Sequence, residues 1–152
     1  TQEAVNVIFQ ALLNPGDEVL LPDPYYMAYF QAIRAVGGNA VTLPTRLEDN
    51  FVVRPEALEA AVTPRTKAVI LVSPSNPTGT VVDRPTAEAI CRVAQRHNLA
   101  VISDELYDQI VFDGAQVTPI AALPGMWERT GCGWATLPPR APLPRRRWSC
   151  GI

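Results

Sequence analysis

The sequence predicts an α/β fold in which a mostly parallel sheet is covered on both faces by helices, in three αβα layers. Three observations predict it. The run Ala68-Val69-Ile70-Leu71-Val72 is apolar, rich in β-branched residues and free of polar alternation, as in a strand buried on both faces. Strand-like and helix-like segments alternate along the chain, which is the pattern of βαβ units. Two polar stretches, 73–80 and 104–107, each follow a buried run and so emerge at the carboxyl edge, where ligands bind in such sheets.

The elements follow in order. Residues 2–13 place Val5, Ile8, Phe9, Leu12 and Leu13 at helical spacing, and Asn14-Pro15-Gly16-Asp17 ends that helix. A short strand at 18–21 runs into the breaker Pro22-Asp23-Pro24. A second helix at 25–36 is closed by Gly37-Gly38. A strand at 40–43 leads into a long polar connection containing Glu48-Asp49-Asn50. A short helix at 55–62 has proline in its first turn. The strand at 67–72 comes next, and its connections to its neighbours are expected to be right-handed. The helix at 85–97 is amphipathic, with Ile90, Val93 and Ala94 inward and Glu88, Arg92 and Arg96 outward. A buried strand at 99–103 ends in Asp104-Glu105-Leu106-Tyr107. Tyr29 and Phe30 are read as helix packing.

Composition narrows the function classes. With 152 residues, 47% of them hydrophobic and 18% charged, the chain is globular in type and long enough for a sizeable core. Residues 131–152 hold Arg140, Arg145, Arg146 and Arg147 and no acid, so the preceding body is acidic and unsuited to nucleic acid. No apolar run is long enough to span a bilayer, so no membrane partner is expected. Cys91, Cys132 and Cys150 are odd in number and lack metal spacing, which predicts neither a disulfide framework nor a metal site. Cys91 reads as a small apolar helix residue, and His97 as a dipole partner at a helix end. The chain opens at Thr1 without methionine, inside a helical pattern, so further residues are expected upstream.

The chain divides at about residue 130. The body, 1–130, is well patterned. The stretch 131–152, with Pro138-Pro139-Arg140-Ala141-Pro142 and three successive arginines, has neither helical nor strand period and is expected to lack regular structure.

The loop 73–80 is the focus of the site. Pro77 biases Asn76 towards an extended backbone, which aims its amide, and Gly79 lets the chain turn away. With Asn76-Pro77-Thr78-Gly79 and Asp104-Glu105-Leu106-Tyr107 both present, the sequence resembles the class I/II aminotransferases, pyridoxal-phosphate (PLP) enzymes of the aspartate aminotransferase fold type. Thr1-Gln2-Glu3-Ala4, Asn14-Pro15-Gly16-Asp17-Glu18-Val19 and Pro24-Tyr25-Tyr26 occur in the same order as in that family. The resemblance covers 1–130 and implies part of the large, PLP-binding domain of an enzyme moving an amino group from an amino acid to a 2-oxo acid. It also implies a homodimeric parent enzyme, expected in the cytoplasm.

The resemblance implies a role at each matching position. Asp104 corresponds to the carboxylate that keeps the pyridine nitrogen protonated, without which PLP is no electron sink. Asn76 and Tyr107 correspond to the donors on the cofactor's phenolic oxygen, a task suited to an amide and a phenol. Tyr26, with Tyr25 beside it as the alternative, corresponds to the aromatic ring stacked on the pyridine. Thr1 and Gln2 correspond to the end of a phosphate-binding turn at a helix N-terminus.

One departure is decisive for activity. The family forms its Schiff base on a lysine, and the single lysine here, Lys67, precedes the strand 68–72 and belongs at the opposite sheet edge. No catalytic residue is therefore assigned. Where the Schiff-base lysine is expected, the Pro/Arg-rich stretch begins, as a shifted frame, an unusual splice or a faulty gene model would produce. Transamination by this chain alone is not expected. A non-catalytic PLP-binding or dimerising remnant stays open as an alternative, as does part of a PLP carbon–sulfur lyase of the same fold. A nucleotide-binding domain is disfavoured, since no Gly-x-Gly-x-x-Gly occurs.

Overall fold

The computed structural model describes residues 2–132, and the stretch 133–152 lies outside the described residues. Four helices and five strands follow one another as α1 (Gln2–Leu12), β1 (Glu18–Asp23), α2 (Met27–Ala35), β2 (Asn39–Pro44), α3 (Pro55–Ala60), β3 (Thr66–Val72), α4 (Arg84–Arg96), β4 (Ala100–Asp104) and β5 (Thr130–Cys132). All described strand pairs are parallel, in the order β2-β1-β3-β4-β5.

Alternation along the strands divides the apolar residues between two layers. Val19, Leu21, Ala68, Ile70, Ala100 and Ile102 pack with Val5, Ile8 and Phe9 of α1 and Tyr29, Ala32 and Ile33 of α2. Leu20, Val69, Leu71 and Val101 face Leu58 of α3 and Ala87, Ile90, Cys91, Val93 and Ala94 of α4. The three expected layers are thus present. The crossover β1-α2-β2 runs one way across one face, and β2-α3-β3 and β3-α4-β4 run the other way across the opposite face. Reversing both direction and face keeps one crossover hand. The reversal falls between β1 and β3, which makes their carboxyl ends a topological switch point.

Local chemistry explains the element ends. Asp83 caps α4 by accepting a hydrogen bond from the Thr86 amide at 2.9 Å, with Pro85 in the first turn. Gly37, at φ +80°, lets the Gly37 and Gly38 amides return to the carbonyls of Arg34 and Ile33, and Pro15 packs against it. At the end of α4, Arg96 and His97 both reach the Glu59 carboxylate, His97 at 3.1 Å, and so tie α4 to α3.

Strand β1 extends two residues further than the sequence predicts, and β5 has no counterpart in the sequence pattern. β1 continues through Pro22 because beyond Leu20 it pairs only with β2, so the missing proline N–H leaves no ladder to β3 broken. β5 is a three-residue strand with a glycine at its centre, paired as Val101 with Thr130, Ile102 with Gly131 and Ser103 with Cys132.

The amino edge of the sheet carries a buried carboxylate. Glu18, only 5% exposed, accepts hydrogen bonds from the Thr63 hydroxyl at 2.5 Å and Arg65 Nε at 2.9 Å, and pairs with Arg65 Nη2 at 2.7 Å. The Thr63 bond, helped by Arg65 and against the effect of burial, holds its pKa below the ordinary value of 4.5. A depressed folded pKa contributes stability that is complete above the unfolded value and lost as pH falls through the folded one. Glu18→Gln is expected to cost about 1–2 kcal/mol at pH 7, held down because Arg65 is largely solvated. The check is thermal unfolding of both proteins from pH 7 to pH 3, where the gap should close on the acid side. A constant gap would remove Glu18 from the acid response.

Candidate active site

The carboxyl edge gathers residues from β1, β3 and β4. Asp104 closes β4 and is 7% exposed. Its carbonyl accepts from the Ser73 amide at 3.1 Å, which binds the start of the 73–80 loop to the end of β4. Its carboxylate is held twice. Oδ1 accepts from the Leu106 amide at 3.1 Å, and Oδ2 accepts from the Tyr29 hydroxyl at 2.5 Å. Burial, and then the Asp104 carboxylate, drive the Tyr29 pKa far upward, with Tyr107 and Tyr26 adding to the shift. Tyr29 therefore stays protonated and donates.

Tyr26, Tyr29 and Asp104 line one cavity of about 270 Å³, together with Val5 and Asn6 of α1 and Gln31 and Ala32 of α2. Tyr26 and Tyr29 meet edge to face, with centroids 5.9 Å apart at 87°, while Tyr25 turns away and stacks on Phe30 at 6.3 Å. Tyr26 rather than Tyr25 therefore borders this cavity.

Asn76 is placed differently. It is half-buried and lines a narrow crevice of about 30 Å³ at the switch point, between Pro22, Pro24 and Tyr25 on one side and Leu71, Val72 and Ser75 on the other. Tyr107 is half-buried in the turn after β4, where its carbonyl accepts from the Ile110 amide at 2.8 Å. The structure thus joins Tyr26 and Asp104 at one cavity, puts Asn76 at the neighbouring crevice, and leaves Tyr107 in the turn that starts at Asp104. Gln2 opens α1, its side chain is not described, and Thr1 lies outside the described residues.

Sequence reasoning read Tyr29 as helix packing. It does pack, at 3% exposure, but it is also the buried donor to Asp104. Spacing of three residues from Tyr26 on one helix face was the only available signal. Lys67 stands in the first turn of pleat of β3, at the amino edge, five residues before Val72 pairs with Asp104. That puts it roughly 17 Å from the cavity edge along an extended strand. Among the described residues no group of three or more histidine, cysteine, aspartate or glutamate side chains could hold a metal.

Comparison with known proteins identifies relatives of this chain. The family model described as "Aminotransferase class I and II" matches residues 1–135. The arginine–pyruvate transaminase AruH of Pseudomonas aeruginosa is 45% identical over 129 residues, 85% of this chain and 33% of that protein. The aspartate/prephenate aminotransferase of Thermus thermophilus is 41% identical over 118 residues, 78% of this chain and 31% of that protein. Among solved structures, the N-succinyldiaminopimelate aminotransferase of Mycobacterium tuberculosis aligns with a TM-score of 0.83 and 42% identity, over 86% of this chain and 34% of that one. The chain spans about a third of the length of these relatives.

Proposed function

The chain belongs to the class I and II aminotransferases, a family that implies PLP as cofactor, and on that premise we propose that it forms the floor of a PLP site. The parent reaction moves an amino group from an amino acid to a 2-oxo acid. The observation that carries this reading is the convergence of Asp104, Tyr26 and Tyr29 on one cavity.

The residues present fit the cofactor. Two hydrogen bonds occupy part of the Asp104 carboxylate, whose oxygens can accept about four, so capacity remains for a ring N–H on the cavity side. At about 270 Å³ the cavity lies near the lower end of ligand-sized clefts, which suits a single planar ring. When bound, PLP supplies an electron sink for the pair left on the substrate carbon. Asp104 holds the proton on the ring nitrogen, and Tyr29 holds Asp104 in place. Tyr26 covers a ring face and excludes water. Asn76, from the neighbouring crevice, and Tyr107, from the turn after Asp104, would donate to the phenolic oxygen. Gln2, the first residue of α1, and Thr1, outside the described residues, would serve the phosphate.

No lysine of this chain stands on that edge, so the chain holds and orients the cofactor but does not carry the nucleophile or move the substrate proton. A homodimeric, cytoplasmic parent enzyme belongs to the same proposal. Among the described residues no helix is long and apolar enough to cross a membrane.

The test is a chimaera in which residues 2–132 replace the matching segment of the Mycobacterium tuberculosis enzyme. It should take up PLP, transaminate, and yield after borohydride reduction one phosphopyridoxyl adduct, at the recipient's own lysine. The 152-residue chain alone should yield none at any residue facing Asp104. A folded chimaera that takes up no PLP would sink the proposal, and an adduct facing Asp104 in the isolated chain would overturn the role of the missing lysine.

A further inference from the structure

We infer that Thr80 and the segment 47–53 form a strap that sets the direction of Asn76, making Thr80 a positioning residue for the site. The inference rests on the reading of Asn76 as a cofactor-facing group. The loop 73–80 closes on itself locally: the Ser75 amide donates to the Thr80 carbonyl at 2.9 Å and the Gly79 amide to the Ser75 carbonyl at 2.8 Å. These bonds bracket Asn76 and fix the shape of the loop. They do not fix its tilt against the sheet.

Besides the Ser73–Asp104 bond at the start of the loop, the strap supplies a second external anchor, at its far end. Thr80 Oγ1 donates to the Asn50 carbonyl at 2.6 Å while accepting from Thr78 Oγ1 at 3.0 Å, so one hydroxyl joins the strap to the middle of the Asn76-Pro77-Thr78-Gly79 motif. Asn50 and Phe51 are successive non-glycine residues in the left-handed region, at φ 50° and 55°. A bulky residue rarely adopts that conformation unless its surroundings demand it, and such residues cluster where geometry serves a site. Here it turns the Asn50 carbonyl towards Thr80 and puts Phe51 into the crevice that Ser75, Asn76 and Thr80 also line. The strap is itself braced. The Arg46 carbonyl accepts from the Asp49 and Phe51 amides, at 3.1 and 2.8 Å, and Arg54 pairs with Asp49 at 3.1 Å.

The experiment uses the uniformly ¹⁵N-labelled 152-residue chain, in wild-type, Thr80→Val and Thr80→Ser forms. Valine replaces the hydroxyl with a methyl group, and serine restores it. Thr80→Val should shift the Asn76 side-chain amide signals and speed exchange of the Ser75 and Gly79 amides about tenfold, the scale of one lost hydrogen bond. Thr80→Ser should return both towards wild type. An unmoved Asn76 signal in Thr80→Val overturns the inference, as do equal shifts in both variants. A Thr80→Val chain that unfolds overturns it too, since the bond would then hold the fold rather than the loop. In the chimaera, PLP should slow exchange across 73–80. If it does not, while Thr80→Val still moves Asn76, the cofactor reading falls and the strap stands.

Discussion

Asp104→Asn in the PLP-loaded chimaera is expected to lower the rate of the amino-acid half-reaction by several powers of ten, each power corresponding to about 1.4 kcal/mol of barrier. The substitution conserves shape. Asparagine still presents an oxygen to the Leu106 amide, and the Tyr29 hydroxyl can rotate to accept from its NH₂ instead of donating. What is lost is the negative charge that keeps a proton on the ring nitrogen, in a position only 7% exposed where water cannot replace it. Tyr107→Phe should cost far less, about 1–3 kcal/mol, because it deletes a single hydrogen bond to a charged oxygen. The ordering is the discriminating result, measured as single-turnover rates of both variants at saturating PLP. If Tyr107→Phe proves the more damaging, Asp104 does not hold the ring proton.

Ile70→Ala is the substitution expected to do most harm to the fold. Ile70 is fully buried at the centre of β3, between β1 and β4, and packs in the α1/α2 layer. Truncating such a side chain removes transfer free energy and leaves a cavity that close packing cannot relax away, at about 2–5 kcal/mol. Against a usual domain stability of roughly 5–15 kcal/mol this is a large fraction. Thermal unfolding should show a midpoint lower by about 10–15 °C. Val7→Ala, at a residue 58% exposed on α1, is the control and should change stability by no more than about 0.5 kcal/mol. Equal effects at the two positions would mean that β3 is not the packed centre of the domain. The site would suffer with the fold, because β3 delivers the 73–80 loop and its last residue, Val72, pairs with Asp104.

What the sequence made legible follows from how far each signal reaches. The parallel sheet and its carboxyl edge were readable because apolar runs such as 68–72 and 100–102 have no solvent face, and their ends must be where the polar motifs begin. The sequence alone therefore puts Asp104 and Asn76 at the carboxyl edge, where β4 and β3 end. Tyr29 was not recognised as a partner of Asp104, since the two lie 75 residues apart and a buried tyrosine on a helix face looks the same whether or not its hydroxyl finds a carboxylate. The left-handed pair Asn50-Phe51 carries no glycine to announce it, and tertiary contacts with Thr80 decide it. β5 escaped notice because three residues around a glycine show no period to read.

The short strand β5 has a consequence for how the domain breathes. Among the described residues β4 lies between the long, well-paired β3 on one side and this three-residue neighbour on the other. Transient opening of a sheet starts at a short outer ladder and exposes the adjoining strand before the centre. Asp104 terminates that adjoining strand, whereas Asn76 follows β3, one strand further from β5. The charge at the floor of the cavity and the amide in the neighbouring crevice thus lie on strands at unequal distance from that ladder, and whatever covers β5 governs the order of the charge more than that of the amide.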